Sequence, residues 1–467
     1  MTSESATSPT AGASRKLAQV LAGTSFEDLP DGVIGDVQRS VLDWLGSTMA
    51  GAVEAPARIM QRVVGGMGKS EQATVFAAGR AAAGSAALAN GTAAHILELD
   101  DVHKSSTLHP GAPIISAALA VAEREHATGK AFLLSVALGY DAALRIGEAV
   151  NPSHYRFWHP TGTAATFGAA VAAASLLALT SSQMLDALGN AGTQAAGLWE
   201  FNADGAMSKH LHAGKAAWNG ILSADLAQCG FTGATRILEG ERGFFPAMSN
   251  GHDPTRITDK LGTRWKISEN CFKLYSCCGH THSAIDTALD LRAQLGWANR
   301  EASEQVNRIE IDTYGPGFEI VKELNPRSPF RAKFSLAYVA TAALLEGRVG
   351  LEQFSAERFD AEGVVDRSIA ALLPRVRIAV SDQLTARYPA AWPARIRLTL
   401  QDGKVLSAGS DYPRGNPENP VSTAGLQQKF RALIEPRFGS GVADRSLDAV
   451  QEITHIGDMA NAFSNLI

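Results

Sequence analysis

From Leu29 to about Phe245 the chain repeats apolar residues at three- to four-residue spacing, interrupted by Gly, Pro and Asn turns. That period is the buried stripe of an α-helix, so this half of the chain is confined to packed helices. The segment 33–53 is one of them, with Val37, Val41, Leu42, Leu45 and Met49 along one stripe; 114–125, 131–150, 163–179, 182–198 and 215–229 are others. Helices in series without intervening strands predict an all-α domain. An Ala-heavy first half and 44 Gly in the chain suit close helix packing.

The pattern changes after about Asp253. Residues 308–314 (RIEIDTY) alternate as a strand does, and 395–407 reads as a hairpin turning at Asp402-Gly403. Helical patterns at 335–345 and 360–373 lie between them, the mark of a smaller α+β domain over 254–410. Beyond the loop 412–420, helices resume at 423–433 and 460–467 and return to the first domain. The expected fold is mostly α: a large all-helical domain of 14–253 and 411–467, the α+β domain, and a disordered tail at 1–13. Two domains suit 467 residues, more than one hydrophobic core usually holds.

A formal charge of −5 and a pI near 6.2, with no Lys/Arg run, argue against nucleic acid as a partner. Residues 1–13 lack the basic start and apolar stretch of a signal peptide. The uncharged stretch 160–185 is long enough to span a membrane, but its Ala, Thr, Ser and Gly contribute little transfer energy, and it reads as a buried helix. Four cysteines are too few and too clustered for a disulfide framework, which fits a reducing cytoplasm.

The densest chemistry lies in 90–113, NGTAAHILELDDVHKSSTLHPGAP, which gathers His95, Glu98, Asp100, Asp101, His103, Lys104 and His109. So many ionisable groups beside an apolar run need partners if buried, and a polar surface loop is the plain alternative. His109 stands just ahead of a helix start, and His159 repeats the design, followed by Pro160 and by Thr161 as a candidate N-cap. A helix N-terminus attracts carboxylates and keeps a nearby imidazole neutral, so the two starts suggest an anion site containing a base. The aromatic run 155–158 ahead of His159 is expected to pack over it and limit water.

Two further clusters matter. In MSKHLHAGK, Lys209 and His212 fall three apart, on one face if helical, and a lysine there suits carboxylate recognition, although such a segment is commonly a solvated helix start. In CFKLYSCCGHTH, Cys271, Cys277 and Cys278 with His280 and His282 invite a metal reading, but adjacent cysteines do not match the spacing of zinc or iron–sulfur turns. The other readings are cysteines packed behind a polar site of Lys273 and His282, or a core turn. No dinucleotide loop, phosphate loop or nucleophile elbow is present.

In order along the chain, NGTAAHILELDD with its HPG, WHPTGTAATFGAA, SKHLHAGKAAWNG with EGERGFF beyond, K-x4-C-x3-H from Lys273, AKFSLAYVATAALLEG from Ala332, and RGNPENP with KF at Lys429 resemble the MmgE/PrpD family. The resemblance covers roughly 15–460. Members include 2-methylcitrate dehydratase, cis-aconitate decarboxylase and iminodisuccinate epimerase. It implies that the α+β domain acts as a lid, with the active site in the cleft, that the protein is a homodimer, and that no metal or organic cofactor takes part. Carried over by position, the site is His109, His159, Lys209, Lys273 and the acidic run from Glu98 through Asp100 and Asp101. Glu98, His103, His212, Cys278 and His282 are placed in contact with substrate. The chain departs from the decarboxylase in having one more residue between Asp101 and His109, Val102 at a threonine position, and Cys278 at a histidine position, the last shared with the epimerase.

The family's reactions remove a group beside a carboxylate through an intermediate of increased negative charge. That requires cations to offset the charge and a base near neutrality. The leading expectation is a cofactor-independent hydro-lyase acting on a small hydroxylated di- or tricarboxylate of the 2-methylcitrate type. An epimerase of an iminodisuccinate-like acid, a cis-aconitate decarboxylase and a non-catalytic carboxylate binder are the alternatives. Spacing does not assign which histidine is base and which is acid.

Overall fold

The computed structural model describes residues 12–297, 300–463 and 466. The expected tail falls mostly on residues outside these; at its end, Ala13 already opens a helix, Ala13–Ala22, whose Ser14 donates to Glu239 Oε2 through Oγ at 2.5 Å. Contacts divide the chain into a helical unit, comprising the described residues up to Ile96, Asp100–Asn270 and those from Ser422 on, and a sheet unit of Leu97–Leu99 and Cys271–Val421.

In the helical unit the main helices are Asp31–Ala52, Ala83–Ala94, Gly111–Arg124, Gly129–Val150, Ala164–Leu176, Ser181–Gly192, Ser208–Gln228 and Thr423–Phe438. Small residues set how closely they cross. A Cβ on Gly139 would lie 2.8 Å from Gly168 O, so the Gly129–Val150 and Ala164–Leu176 helices meet backbone to backbone. Thr128 and the Thr180/Gln183 capping box start two of the helices where side-chain acceptors meet unpaired N–H groups. Lys429 reaches the buried Asp43 at 2.5 Å, tying the Thr423–Phe438 helix to Asp31–Ala52.

This unit is not wholly helical, because β1 (Ala73–Val75) and β2 (Gly79–Ala81) form a short antiparallel hairpin. The expected helix 182–198 stops at Gly192, 163–179 stops at Leu176 before Ala178 at φ 49°, and the expected 460–467 helix is only a 3-10 turn, Met459–Asn461, with 464, 465 and 467 outside the described residues. Among the described residues no helix is long and apolar enough to cross a membrane.

The sheet unit holds β3 (Val306–Thr313), β4 (Val376–Val380), β5 (Ala394–Leu400) and β6 (Val405–Ser410) in the order β4-β3-β5-β6. The β3–β4 pair is parallel and the other pairs are antiparallel. Alternation buries Ile309, Ile311, Ile396 and Leu398 in a core shared with helices His282–Gln294 and Leu336–Glu346. Gly403, at φ 85°, makes the expected hairpin turn between β5 and β6. Of the expected helix 360–373 only Arg367–Leu372 forms, capped by Asp366, because the residues before it close a turn through the Phe359–Val364 bridge.

The unit boundaries differ from 253/254 and 410/411 for a physical reason. Buried Arg145 donates to the carbonyls of Asp259 at 2.6 Å and Arg264 at 2.7 Å, holding 254–270 against the Gly129–Val150 helix. Arg414 meets Asp286 at 3.0 Å and Phe272 N–H donates to Gly415 O at 2.9 Å, so 411–421 pack with the sheet unit.

Candidate active site

The Ala83–Ala94 helix ends at His95, and Gly91 lets it approach the Ser208–Gln228 helix: a Cβ on Gly91 would lie 2.9 Å from Gly214 Cα. That contact brings His95 to the end of the helix that carries Lys209 and His212 near its start. Asp100 Oδ2 stands 2.7 Å from His95 Nδ1, and because a carboxylate only accepts, Nδ1 carries the hydrogen. His95 is fully buried and its Nε2 meets no hydrogen-bond partner among the described residues.

Three donors converge on Asp101: Gly111 N–H at 2.9 Å, Tyr140 O–H at 2.7 Å and Asn270 Nδ2 at 2.6 Å. The anion at the start of helix Gly111–Arg124 is therefore the protein's own, where the sequence suggested a ligand's carboxylate. The Asp101 backbone carbonyl accepts from His109 Nδ1 at 2.7 Å, which fixes that tautomer and leaves the lone pair on Nε2. The turn before His109 closes on itself through His103 N–H to Leu108 O at 2.8 Å, and Asn151 Nδ2 braces it on Thr107 Oγ1 at 2.8 Å.

His159 is placed by a short antiparallel pairing of 157–159 with 197–199, in which its N–H donates to Gly197 O at 2.9 Å. The pairing lays Trp199 over the imidazole, with ring centroids 5.1 Å apart, and Phe201 closes a second side at 5.8 Å. These two rings, not the run 155–158, wall the histidine; Phe157 is 55% exposed. The following helix starts at Ala164 with Thr163 at its N-cap, and Thr161 Oγ1 instead accepts from His109 N–H at 3.1 Å. His95 centres the group: its ring lies 4.8 Å from His109, stacks on His159 at 5.5 Å and stands 6.3 Å from His210. His159 Nδ1 meets His212 Nδ1 at 3.1 Å.

Burial, then the nearby basic groups His212, His95, Lys209 and His109, hold His159 well below the ordinary imidazole range. His212 falls to about 4, through burial first and then His95, Lys209 and Lys215. For His159 and His212, burial and the crowding of basic groups, rather than a helix terminus, favour the neutral ring. Lys209 is buried in the first turn of Ser208–Gln228, where the helix dipole adds to its positive charge. Asp101 moves the other way, pushed up to about 7 by burial and by Asp43, against its three donors.

The structure thus brings Asp100, Asp101, His109, His159, Lys209 and His212 into one neighbourhood of the helical unit. His103 is not in the ring cluster. Its Nδ1 accepts from Ser106 N–H at 3.3 Å and its Nε2 faces Glu148 at 3.8 Å and Glu269 at 3.9 Å, beside Lys266, whose Nζ is 2.8 Å from Glu148. Burial opposes ionisation of Glu269, but the His103 hydrogen bond and Lys266 bring its carboxyl down to about 2.

Within the sheet unit, Lys273 and Glu98 form a buried ion pair at 3.4 Å, with Glu98 in the left-handed region at φ 58°. A non-glycine residue there carries strain that the surroundings must impose. Cys278 N–H donates to Lys333 O at 2.9 Å, and His282 Nε2 donates to Cys277 O at 3.3 Å with its ring edge on Tyr275. Cys277 pairs with Thr281 Oγ1 at 3.2 Å, and burial pushes its thiol up to about 12. Cys271 donates to Asn416 Oδ1 at 3.2 Å.

Among the described residues, three ligand-type atoms come within 4.8 Å of one another at His95/Asp100/His109 and at His103/Glu148/Glu269; neither set draws on the cysteines. In the first set both imidazole Nδ1 atoms carry hydrogens directed at oxygen acceptors, and in the second the Lys266 ammonium already supplies the cation. Both sets are built as hydrogen-bonded pairs.

Sequence reasoning missed three residues here. His95 sat inside the acidic motif without being singled out, and Trp199 and Phe201 lie in a segment with no periodic signal.

The chain is similar to known proteins over both of its halves. The MmgE/PrpD N-terminal domain matches residues 15–257 and the MmgE/PrpD C-terminal domain matches 275–454. Human cis-aconitate decarboxylase is 28% identical over 455 residues, 94% of this chain and 92% of its own length. A cis-aconitate decarboxylase of Aspergillus terreus is 28% identical over 367 residues, 74% of each chain. A 2-methylcitrate dehydratase-like protein of Aspergillus oryzae is 22% identical over 253 residues, 51% of this chain and 49% of its own. With its two domains matched in order over most of its length, the chain belongs to the MmgE/PrpD family.

Proposed function

We propose that the protein is a lyase that takes a proton from carbon beside a carboxylate of a small hydroxylated di- or tricarboxylate and expels water. The observation that carries this reading is the fixed tautomer of His109. Its Nδ1–H is committed to the Asp101 carbonyl at 2.7 Å, so Nε2 carries the lone pair, on a side chain 13% exposed, whereas His95 and His159 are almost fully enclosed. In the step, His109 Nε2 takes the C–H proton, the electron pair becomes the C=C bond, and the hydroxyl leaves as water with a proton from His159. Burial first, then His212, His95 and Lys209, favour the neutral form of His159. A bound polyanion reverses that field and favours the imidazolium the leaving group needs. Lys209 offsets the charge that builds on the carboxylate.

A second reading, decarboxylation of a cis-aconitate-like acid, is favoured by the similarity to the human decarboxylase over 94% of this chain. The C–C bond to carbon dioxide would break and His159 would protonate the resulting carbanion. One experiment separates the readings. The purified protein is incubated in D2O with 2-methylcitrate, citrate and cis-aconitate, and proton and carbon NMR are followed. New alkene signals with loss of the hydroxylated carbon support dehydration, and carbon dioxide release supports decarboxylation. α-Deuteration without loss of any group would point to an epimerase, and binding without change would end the lyase reading.

A further inference from the structure

His159 faces a problem that its enclosure creates. An acid–base group must regain or lose a proton once per turnover, and this one is 1% exposed, walled by Trp199 and Phe201 and stacked on His95. Its Nδ1 points at a second imidazole, His212, at 3.1 Å. Two ring nitrogens at that distance hold one hydrogen between them, since two lone pairs repel and two N–H groups collide. His212 is only partly buried, so the pair runs from an enclosed residue toward a more open one. Its place is built by backbone: Cβ atoms on Gly162 and Gly197 would come within 3.2 Å of the His212 side chain, and Gly197 O also accepts the His159 N–H.

We propose that His212 is the proton port of His159, a positioning residue that does not touch substrate but sets the tautomer of His159 and carries its proton to and from solvent. This rests on the reading of His159 as an acid–base group. In one direction a proton arrives at His159 Nε2, the hydrogen on His159 Nδ1 crosses to His212 Nδ1, and the hydrogen on His212 Nε2 leaves to water. One proton enters, one leaves, and nothing is oxidised. The reverse order reloads His159 when it acts as an acid. The basic groups facing the pair are His95, His109 and Lys209 for His159, and His95, Lys209 and Lys215 for His212. All favour neutral rings, so the shared hydrogen, not a fixed charge, is what moves.

Two measurements on the full-length protein test this. In the first, protein labelled with 15N-histidine is examined without substrate by long-range proton–nitrogen NMR. One ring of the pair should be the Nδ1–H tautomer, with scalar coupling across the hydrogen bond to the other Nδ1; both rings in the Nε2–H form, uncoupled, would overturn the proposal. In the second, His212→Asn, which keeps a polar group near the Nδ1 position, and His212→Ala are compared with wild type on whichever acid the D2O panel identifies. The turnover number should fall about tenfold or more in both, with KM nearly unchanged and melting temperature preserved in His212→Asn. Added imidazole should restore His212→Ala, and deuterium exchange between solvent and the reacting position should slow relative to turnover. Unchanged turnover and exchange in both variants would overturn the relay. A panel in which no acid reacts would count against the lyase reading, while the first measurement still decides whether the pair shares a proton.

Discussion

One buried basic cluster from each unit shows two ways of enclosing such groups. The helical unit packs His95, His159 and His212 close together with Lys209 nearby; His159 and His212 meet nitrogen to nitrogen with no carboxylate between them, while His95 donates to Asp100. The sheet unit buries Lys273 against Glu98 at 3.4 Å, a full ion pair with both partners enclosed. The contrast follows from what burial does to each kind of group. An imidazole answers desolvation by staying neutral and ready to take a proton, whereas an ammonium that keeps its charge requires a carboxylate beside it.

The sharpest way to break this comparison is at His159. His159→Gln keeps a polar side chain of similar reach but cannot transfer a proton, so turnover should fall by about 10²–10⁴-fold while substrate affinity and melting temperature stay close to wild type. Near-normal turnover with a large loss of stability would make it a core histidine. The next largest effect belongs to the sheet unit. Lys273→Met leaves Glu98 buried without its partner and should cost about 3–5 kcal/mol in denaturant unfolding, most of it recovered in the double variant Lys273→Met/Glu98→Gln. A single variant as stable as wild type would show that the pair is not the charge-holding element argued here.

Acid titration sharpens the contrast further. His212 lies near 4 and His159 well below its ordinary value, and each is depressed first by burial. An imidazole with a lowered folded pKa contributes stability that is complete above about 6.5 and is lost as pH falls toward the folded value. Asp101 is raised to about 7, so its contribution has the opposite sign: it is complete below the ordinary carboxylate range and is lost as pH rises through about 7. Melting temperatures between pH 7.5 and 5 should therefore decline less steeply with acid in His159→Gln than in wild type, and more steeply in Asp101→Asn. Identical slopes in the three proteins would contradict the buried neutral-ring picture. The smallest effect is expected from exhaustive chelation, because the sets of ligand-type atoms are already hydrogen-bonded or cation-filled. Activity should be unchanged, and loss of activity together with stoichiometric zinc or iron would refute this.

Much of the fold was legible because it rests on local periodicity. The stripe from Val37 to Met49 marks the helix Asp31–Ala52, and the alternation of 308–314 marks β3. Lengths were less legible where a distant contact ends an element. Residues 193–198 leave the helical pattern to pair with 157–159, and residues 254–270 follow Arg145 rather than the change in composition. The motifs drew attention to His109, His159 and Lys209, but assigned the neutrality of the two imidazoles to helix starts that the structure fills with Asp101 or turns toward their own loops.

What the sequence by itself determined is therefore the inventory: a helical majority, a sheet-bearing second unit, and a set of histidines, lysines and acids in short ordered motifs. What only the tertiary structure decided is which of them are partners. His95 and His212 both meet His159 from distant motifs, and nothing in the spacing of those motifs specifies a stacked ring or a nitrogen 3.1 Å away. Those contacts depend on glycine crossings such as Gly91 on Gly214, where a single added carbon would drive two helices apart. Proton transfer acts over about 3 Å, so the chemistry is settled by the packing of distant segments, at a resolution that local sequence patterns do not carry.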